Sequence, residues 1–158
     1  MTHERLVAYV SRTGTTAAAA SWLAARLDAD LHDLAPHRYL PDLLGLVRVA
    51  GDVLDLTQEP AHAPTLAGRR LVVLCAPIWF LDAAPPLRAF VRASRFRGAD
   101  VLVVLTMTSL CSARTLRSLR ADIVAADARC LGVHAVRVRP GDALPDLLTP
   151  LLSALHLP

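Results

Sequence analysis

A short segment rich in hydroxyl side chains, near the start of the chain, has the residue types that bind phosphate. Its residues are Ser11, Arg12, Thr13, Gly14, Thr15 and Thr16. It follows an apolar run, Leu6–Val10, and precedes Ala17–Leu27, a stretch of strong helix formers. In a strand–turn–helix arrangement of this kind, the first amides of the helix have no partner within it. These amides and the positive end of the helix then surround a small cavity. The segment is therefore predicted to hold a phosphate group.

The same segment differs from the loops that bind transferable phosphates. It contains no lysine, unlike the Gly-x-x-x-x-Gly-Lys-Ser/Thr loop, and it lacks the Gly-x-Gly-x-x-Gly pattern. Its neutral donors suit a phosphate monoester that stays bound rather than one that is transferred. The alternative is a threonine-rich helix cap that binds nothing.

Two further segments that could surround a ligand follow apolar runs. Leu71–Cys75 leads into Ala76, Pro77, Ile78, Trp79 and Phe80, and Val101–Leu105 leads into Thr106, Met107, Thr108 and Ser109. The indole of Trp79 could stack on a flat ring system, and nearby backbone amides could bind the polar edge of that ring. The alternative is that Trp79 packs against a neighbouring loop or a dimer partner.

The elements that must position these segments alternate between strands and helices. The predicted strands are Leu6–Val10, Asp30–Leu34, Leu71–Cys75, Val101–Leu105 and Val133–Val138. The predicted helices are Ala17–Leu27, Asp42–Leu56, one opened by Pro85 and Pro86, one from the N-cap Ser112 to Ala128, and Leu144–Leu157, which Pro150 should kink or interrupt.

Unbroken apolar strands separated by helices indicate a parallel sheet covered on both faces. The sequence predicts one α/β domain over residues 1–158, a doubly wound five-stranded sheet in the order 2-1-3-4-5. In that order the segments after the first, third and fourth strands meet beyond the carboxyl ends of the strands. Their convergence is the main physical argument for one ligand site.

The pattern Ser/Thr-x-Thr-Gly-x-Thr after the first strand resembles the phosphate loop of flavodoxin-like proteins. The segment from Ala76 to Val91, with its Pro-x-Trp turn and Pro-Pro helix start, is similar to their second flavin loop, and Leu44–Asp52 is similar to a helical stretch of small bacterial members. The resemblance runs from Leu6 to Val138. It implies FMN as cofactor, with the phosphate at residues 11–16 and the isoalloxazine between residues 76–80 and 106–108.

The third segment departs from the pattern of that family. Thr106–Ser109 has neither a glycine nor an aromatic residue that could stack on the outer flavin face. One face of the flavin would therefore be open, or would be covered by another subunit in a homodimer.

Composition excludes several other classes of function. The net charge is +3 and all 17 basic residues are arginines, spread without an aromatic-interleaved basic stripe, so no nucleic-acid binding is expected. No apolar run is long enough for a membrane span and no signal peptide is evident, so a cytoplasmic protein is expected. The three cysteines lack Cys-x-x-Cys spacing and the histidines are scattered, so no metal site is expected.

Three functions fit these observations. The first is an FMN-dependent oxidoreductase that takes a hydride from NAD(P)H and reduces a small acceptor such as a quinone, with no catalytic acid or base assigned. The second is a flavodoxin-type carrier of single electrons with a redox protein as partner, which the mildly basic charge favours less. The third is a cofactor-free interaction domain, for which the apolar segment Leu144–Leu152 could bury against a partner.

Other polar residues near these segments have modest predicted roles. Asp82 is expected to cap the helix that follows it, and Arg114, Arg117 and Arg120 are expected to form a solvated helix face. Cys75 is expected to be buried in its strand, and Cys111 is expected to be an inert loop cysteine.

Overall fold

The computed structural model describes residues 4–35, 63–108 and 110–157. The predicted helix Asp42–Leu56, with the stretch Leu44–Asp52, lies outside the described residues, as does Ser109. In these ranges the strands are β1 Arg5–Tyr9, β2 Asp30–Asp33, β3 Leu71–Trp79, β4 Asp82–Ala83, β5 Asp100–Met107 and β6 Arg129–Arg137. The helices are α1 Thr15–Leu27, α2 Pro85–Ala93, α3 Ala113–Ala125 and α4 Leu144–Ala154.

The strands form one sheet in the order β2-β1-β3-β5-β6, with every pair on this path parallel. The short strand β4 pairs antiparallel with the end of β3 and lies off this path. The predicted α/β class and parallel sheet are confirmed. The predicted order of five strands, 2-1-3-4-5, differs from the observed order because the sheet contains an additional strand, β4. At two residues it is too short to show a periodicity in the sequence.

Both faces of the sheet are buried, as the unbroken apolar runs predict. Alternate residues of each strand point to opposite faces. On one face Leu74 and Val103 pack with Phe90 of α2 and Ile123 of α3. On the other face Val73 and Leu102 pack with residues of α1 and α4, including Leu23 and Leu148. The helices thus fix both sides of the sheet whose edge carries the candidate site.

Two strands extend into segments that were predicted to be loops. Parallel pairing of β3 with β5 continues to Pro77 and Thr106, and β3 then reaches Trp79 through its antiparallel pairing with β4. The residues predicted as loops at Ala76–Trp79 and Thr106–Met107 are therefore strand ends. Backbone pairing with a neighbouring strand carries each strand past the end of its apolar run.

The helix ends follow most of the sequence signals. Ser112 caps α3, since its hydroxyl accepts a hydrogen bond from the amide of Thr115 at 3.1 Å. Helix α4 runs through Pro150 without the predicted interruption. Among the described residues, no helix is long and apolar enough to cross a membrane.

Candidate functional site

A cavity of about 300 Å³ opens at the carboxyl ends of β1, β3 and β5. Its lining residues are Arg12, Thr13, Thr15, Thr16, Pro77, Ile78, Trp79, Phe80, Thr106, Met107, Thr108 and Val138. The structure thus brings together all the predicted site residues except Ser11, Gly14 and Ala76, which do not line the cavity. Its volume is at the lower end of the roughly 300–1,000 Å³ range of small-molecule sites.

The hydroxyl-rich segment forms a tight turn into the N-terminus of α1. Gly14 has φ 92°, in the left-handed region, and its amide donates to the hydroxyl of Ser11 at 3.2 Å. The amide of Ala18 donates to the carbonyl of Gly14 at 2.8 Å, which starts the hydrogen bonding of the helix. The amides of Thr15, Thr16 and Ala17 precede this bond, so the helix offers them no carbonyl. They are available to a negatively charged group at the positive end of the helix.

The hydroxyl groups of this segment have different roles. Thr13 and Thr15 are exposed and line the cavity. Thr16 is buried, and its hydroxyl lies 2.7 Å from the hydroxyl of Thr106. The Ser11 hydroxyl accepts from Gly14. Two of these hydroxyls thus already have a protein partner: that of Ser11 within the turn and that of Thr16 on β5.

Arg12 is the charged residue among those that line the cavity. The arginine side chain gives the lining a formal positive charge. The threonines beside Arg12 are neutral. This end of the cavity therefore favours an anionic group.

The part of the cavity lining that comes from the end of β3 is apolar. Pro77, Ile78 and Trp79 are half-buried, and Ile78 and Trp79 also pack against the core on the side of α2 and α3. Phe80 continues this wall at the protein surface, where 66% of it is exposed. The wall offers the flat indole and phenyl surfaces that a planar ring system can contact.

Residues 78–83 form a hairpin at the rim of this wall. Ile78 pairs with Ala83 and Trp79 with Asp82, which leaves Phe80 and Leu81 at the tip. Phe80 has φ 50° and Leu81 has φ 69°. Bulky residues rarely adopt this left-handed conformation, which costs about 1–2 kcal/mol per residue. Contacts elsewhere in the structure must therefore hold the hairpin.

Asp82 makes one of those contacts. The sequence predicts that Asp82 caps α2, but in the structure it does not. The N-cap of α2 is Ala84, which makes no side-chain cap. The Asp82 carboxylate instead accepts hydrogen bonds from Arg88 and from the amide of Ala83. The nearby arginine is a stronger partner than a helix amide, because the pair is charge-assisted.

The third side of the cavity comes from the ends of β5 and β6. Thr106, Met107 and Thr108 line it as predicted, together with Val138, which the sequence analysis missed. The amide of Val138 donates to the carbonyl of Met107 at 3.0 Å. The signal that could have identified Val138 is topological. Val138 follows β6, which is parallel to β5, so the ends of the two strands lie at the same edge of the sheet.

The cysteines lie outside the cavity lining. Cys75 is fully buried in β3, and burial raises the pKa of its thiol to about 12. Burial, with a smaller effect from Asp82, raises the pKa of Cys111 above its usual value. Both shifts disfavour the reactive thiolate. Within the described part of the chain, no three His, Cys, Asp or Glu side chains are placed to hold a metal ion.

Comparison with known proteins adds to this geometry. No family model and no curated protein sequence matches the chain. A candidate flavoprotein from Bacteroides eggerthii has a solved structure that matches with TM-score 0.75 and 21% identity, covering 98% of each chain. Flavodoxin 2 from Bacillus cereus matches with TM-score 0.63 and 14% identity, again over 98% of each chain. The chain has a flavodoxin-like fold.

Other structures with this flavodoxin-like fold differ in their described activities. A flavoprotein in complex with FMN from Lactobacillus acidophilus has TM-score 0.65 and 15% identity, covering 84% of this chain and 91% of its own. An NADPH-quinone reductase from P. pentosaceus and an NADH:FMN oxidoreductase match with TM-scores of 0.56 and 0.55. Their identities to this chain are 13% and 18%. At these identities the likeness establishes the fold, and function must be argued from the site.

Proposed function

We propose that the cavity binds FMN and that the protein is a flavin-dependent oxidoreductase. The observation that carries this proposal is the polarity of the cavity. One end has the N-terminus of α1 with Arg12 and exposed hydroxyls, and the other has Trp79 and Phe80. In doubly wound folds of this type, ligands bind outside the carboxyl ends of the strands where the strand order reverses, between β1 and β3.

The residues at the polar end fit a phosphate monoester. The amides at the start of α1 and the hydroxyls of Thr13 and Thr15 could donate hydrogen bonds to it, and Arg12 adds a positive charge. Gly14, whose positive φ suits a residue without a Cβ, lies at the turn directly before these amides. These groups would hold the ribityl phosphate.

The apolar end would hold the isoalloxazine ring against Pro77, Ile78 and Trp79, with Thr106–Thr108 on the third side. When bound, FMN would supply the redox chemistry, accepting and donating a hydride or single electrons. The protein's part would be orientation and exclusion of water. No Asp, Glu, His or Tyr belongs to the described lining, so no side chain is assigned as acid or base.

The donor and acceptor are proposed to be NAD(P)H and a small molecule such as a quinone, which would use the same open flavin face in turn. Support comes from the oxidoreductases that share the fold and from the absence of an aromatic residue among Thr106, Met107 and Thr108. A homodimer partner could cover part of that face. The free cysteines fit a reducing compartment such as the cytoplasm.

A direct assay tests this proposal. Purified protein is supplemented with FMN, freed of excess flavin, and mixed with NADH or NADPH and a quinone or dye acceptor. We expect retained flavin absorbance and oxidation of the nicotinamide that depends on the acceptor. Flavin-loaded protein that oxidises neither nucleotide with any acceptor would contradict the enzymatic part of the proposal.

A flavodoxin-type electron carrier is the second candidate, and the structural likeness to flavodoxin 2 favours it. A stepwise reductive titration separates the two functions. A long-lived one-electron-reduced flavin indicates a carrier, whereas direct two-electron reduction indicates a reductase. A supplemented sample that retains no flavin would leave the cofactor-free interaction domain as the best interpretation.

A further inference from the structure

The hairpin formed by residues 78–83 carries the apolar wall of the cavity but has a conformation that its own residues disfavour. Phe80 and Leu81 both have positive φ, and neither is a glycine or an asparagine. The two residues are 66% and 57% exposed, so the tip is not held by their burial. The position of Trp79, directly before the tip, therefore depends on contacts made behind the hairpin.

Arg88 of α2 supplies the strongest of these contacts. Its Nε and Nη2 donate to Oδ1 of Asp82 at 3.0 and 2.5 Å. Its Nη1 donates to Oδ2 of Asp122 at 3.0 Å, and its Nη2 also donates to the hydroxyl of Ser118 at 2.9 Å. Arg88 is buried although it is charged, and it joins the hairpin to both α2 and α3. The planar guanidinium can make all these bonds at once, which a lysine cannot do.

A second contact holds the tip from α3. The hydroxyl of Thr115 donates to the carbonyl of Leu81 at 2.7 Å, and Thr115 is buried. Side chains of two packed helices thus bind both ends of this turn: Arg88 binds the carboxylate of Asp82, and Thr115 binds the carbonyl of Leu81. Neither Arg88 nor Thr115 lines the cavity.

We infer that Arg88, through its pair with Asp82, is a positioning residue that fixes Trp79 and Phe80 for contact with the ring system of the ligand. Without Arg88, the tip can relax from its left-handed conformation, and Asp82 keeps an unpaired negative charge beside Trp79. Both changes act at the ring end of the cavity. The phosphate end, at the start of α1, does not depend on this pair.

The first test uses FMN and riboflavin as probes, and this part rests on the proposed flavin site. Arg88→Met is expected to weaken binding of both probes by the same factor, about two- to tenfold, because the contact with the shared ring is affected. Arg92→Met is the matched control: Arg92 is on the same helix and its Nε lies 3.4 Å from Asp122, but it does not bond Asp82. It removes the same charge and is expected to leave both affinities unchanged.

The second test needs no flavin. In a Trp22→Phe background, Trp79 is the only tryptophan, and acrylamide quenching of its fluorescence reports its exposure. Arg88→Met should increase quenching in the folded protein, and Arg92→Met should not. A purely structural role would lower the denaturation midpoint without changing the quenching or the flavin affinity of the folded protein.

The outcomes separate the two proposals. If the unaltered protein binds no flavin, the proposed function fails, and the quenching experiment still decides the role of Arg88. If the unaltered protein binds flavin and Arg88→Met changes neither affinity nor quenching, the positioning role is overturned. If Arg88→Met does not fold, Asp82→Ala decides, because it removes the oxygen that Arg88 binds and leaves the bonds of Arg88 to Asp122 and Ser118 in place. Asp82→Ala should weaken the binding of both probes equally, and unchanged binding and quenching would overturn the inference.

Discussion

The hydroxyls of Thr16 and Thr106, 90 positions apart in the chain, lie 2.7 Å from each other and are buried between α1 and β5. This hydrogen bond joins the turn at the polar end of the cavity to the strand that forms its third side. It therefore connects the two segments that must keep their relative position for a ligand to contact both.

Replacing one member of this pair should destabilise the protein. Thr16→Val keeps the side-chain shape but leaves the buried hydroxyl of Thr106 without this partner, which costs about 1–3 kcal/mol. The double variant Thr16→Val/Thr106→Val removes both polar groups and should be closer to the unaltered protein in its free energy of unfolding than the single variant is. Urea denaturation of the unaltered protein, of Thr16→Val, of Thr106→Val and of the double variant measures this, and strictly additive losses would show that the two hydroxyls do not interact.

Sequence periodicity was enough to predict the parallel sheet and the approximate place of the cavity. Continuous apolar runs predict β1, β3 and β5, because a strand buried on both faces needs apolar side chains in succession. The carboxyl ends of parallel strands then bring residues 11–16, 76–80 and 106–108 to one edge. Local signals such as Ser112 also placed a helix start correctly.

The features that sequence reasoning missed depend on contacts between distant residues. The Phe80–Leu81 tip has no Gly or Asn to indicate a left-handed turn, and it forms because Arg88 and Thr115 hold it from two helices. The partner of Thr16 is likewise on another element. Such pairings depend on tertiary packing, which overrides local preference and leaves no spacing pattern in the chain.

Thr13→Ala should weaken the binding of FMN much more than that of riboflavin. Thr13 is exposed at the polar end of the cavity, so its loss removes a hydroxyl bonded to a charged oxygen and should cost about 1.5–3 kcal/mol of FMN binding. Riboflavin has no phosphate and should bind almost as before. Fluorescence titration of both flavins measures the difference. Equal losses for the two ligands would mean that the phosphate is not held at this turn.

Gly14→Val tests the turn itself, with Gly68→Val as a matched control. Both glycines have positive φ, 92° and 77°, and an added Cβ would meet no atom within 4 Å at either position. Each substitution should therefore cost a similar backbone strain, about 1–2 kcal/mol of stability. Only Gly14→Val should weaken FMN binding, because its side chain stands beside the phosphate donors. A comparable loss of FMN affinity in Gly68→Val would indicate a general effect of instability.

Trp79→Ala should weaken the binding of FMN and the binding of riboflavin by the same factor. The indole lines the ring end of the cavity, and aromatic pairs contribute about 0.5–1.5 kcal/mol beyond the area that they bury. The measurement is the ratio of the two dissociation constants, which should stay near that of the unaltered protein. A loss confined to FMN would place the indole beside the phosphate instead of the ring.

Cys75 should make the protein less stable at alkaline pH. Burial raises the pKa of its thiol from the usual 9.0 to about 12. Above pH 9.0 the unfolded chain loses this proton while the folded chain keeps it. The folded state then binds more protons, so stability is full below the unfolded pKa and falls as pH rises towards the folded one.

The slope from this one group is at most about 1.4 kcal/mol per pH unit, the free energy of one proton bound differently in the two states. Cys75→Ala should lower stability at neutral pH through the lost side-chain volume, yet it should flatten the decline between pH 9 and 10. The pKa of Tyr9 is raised from 10.0 by burial and by Asp33, so Tyr9 also lowers stability as pH rises, but only at higher pH. Urea midpoints across this range provide the comparison, and parallel curves for the two proteins would show that the thiol of Cys75 is not protected in the folded state.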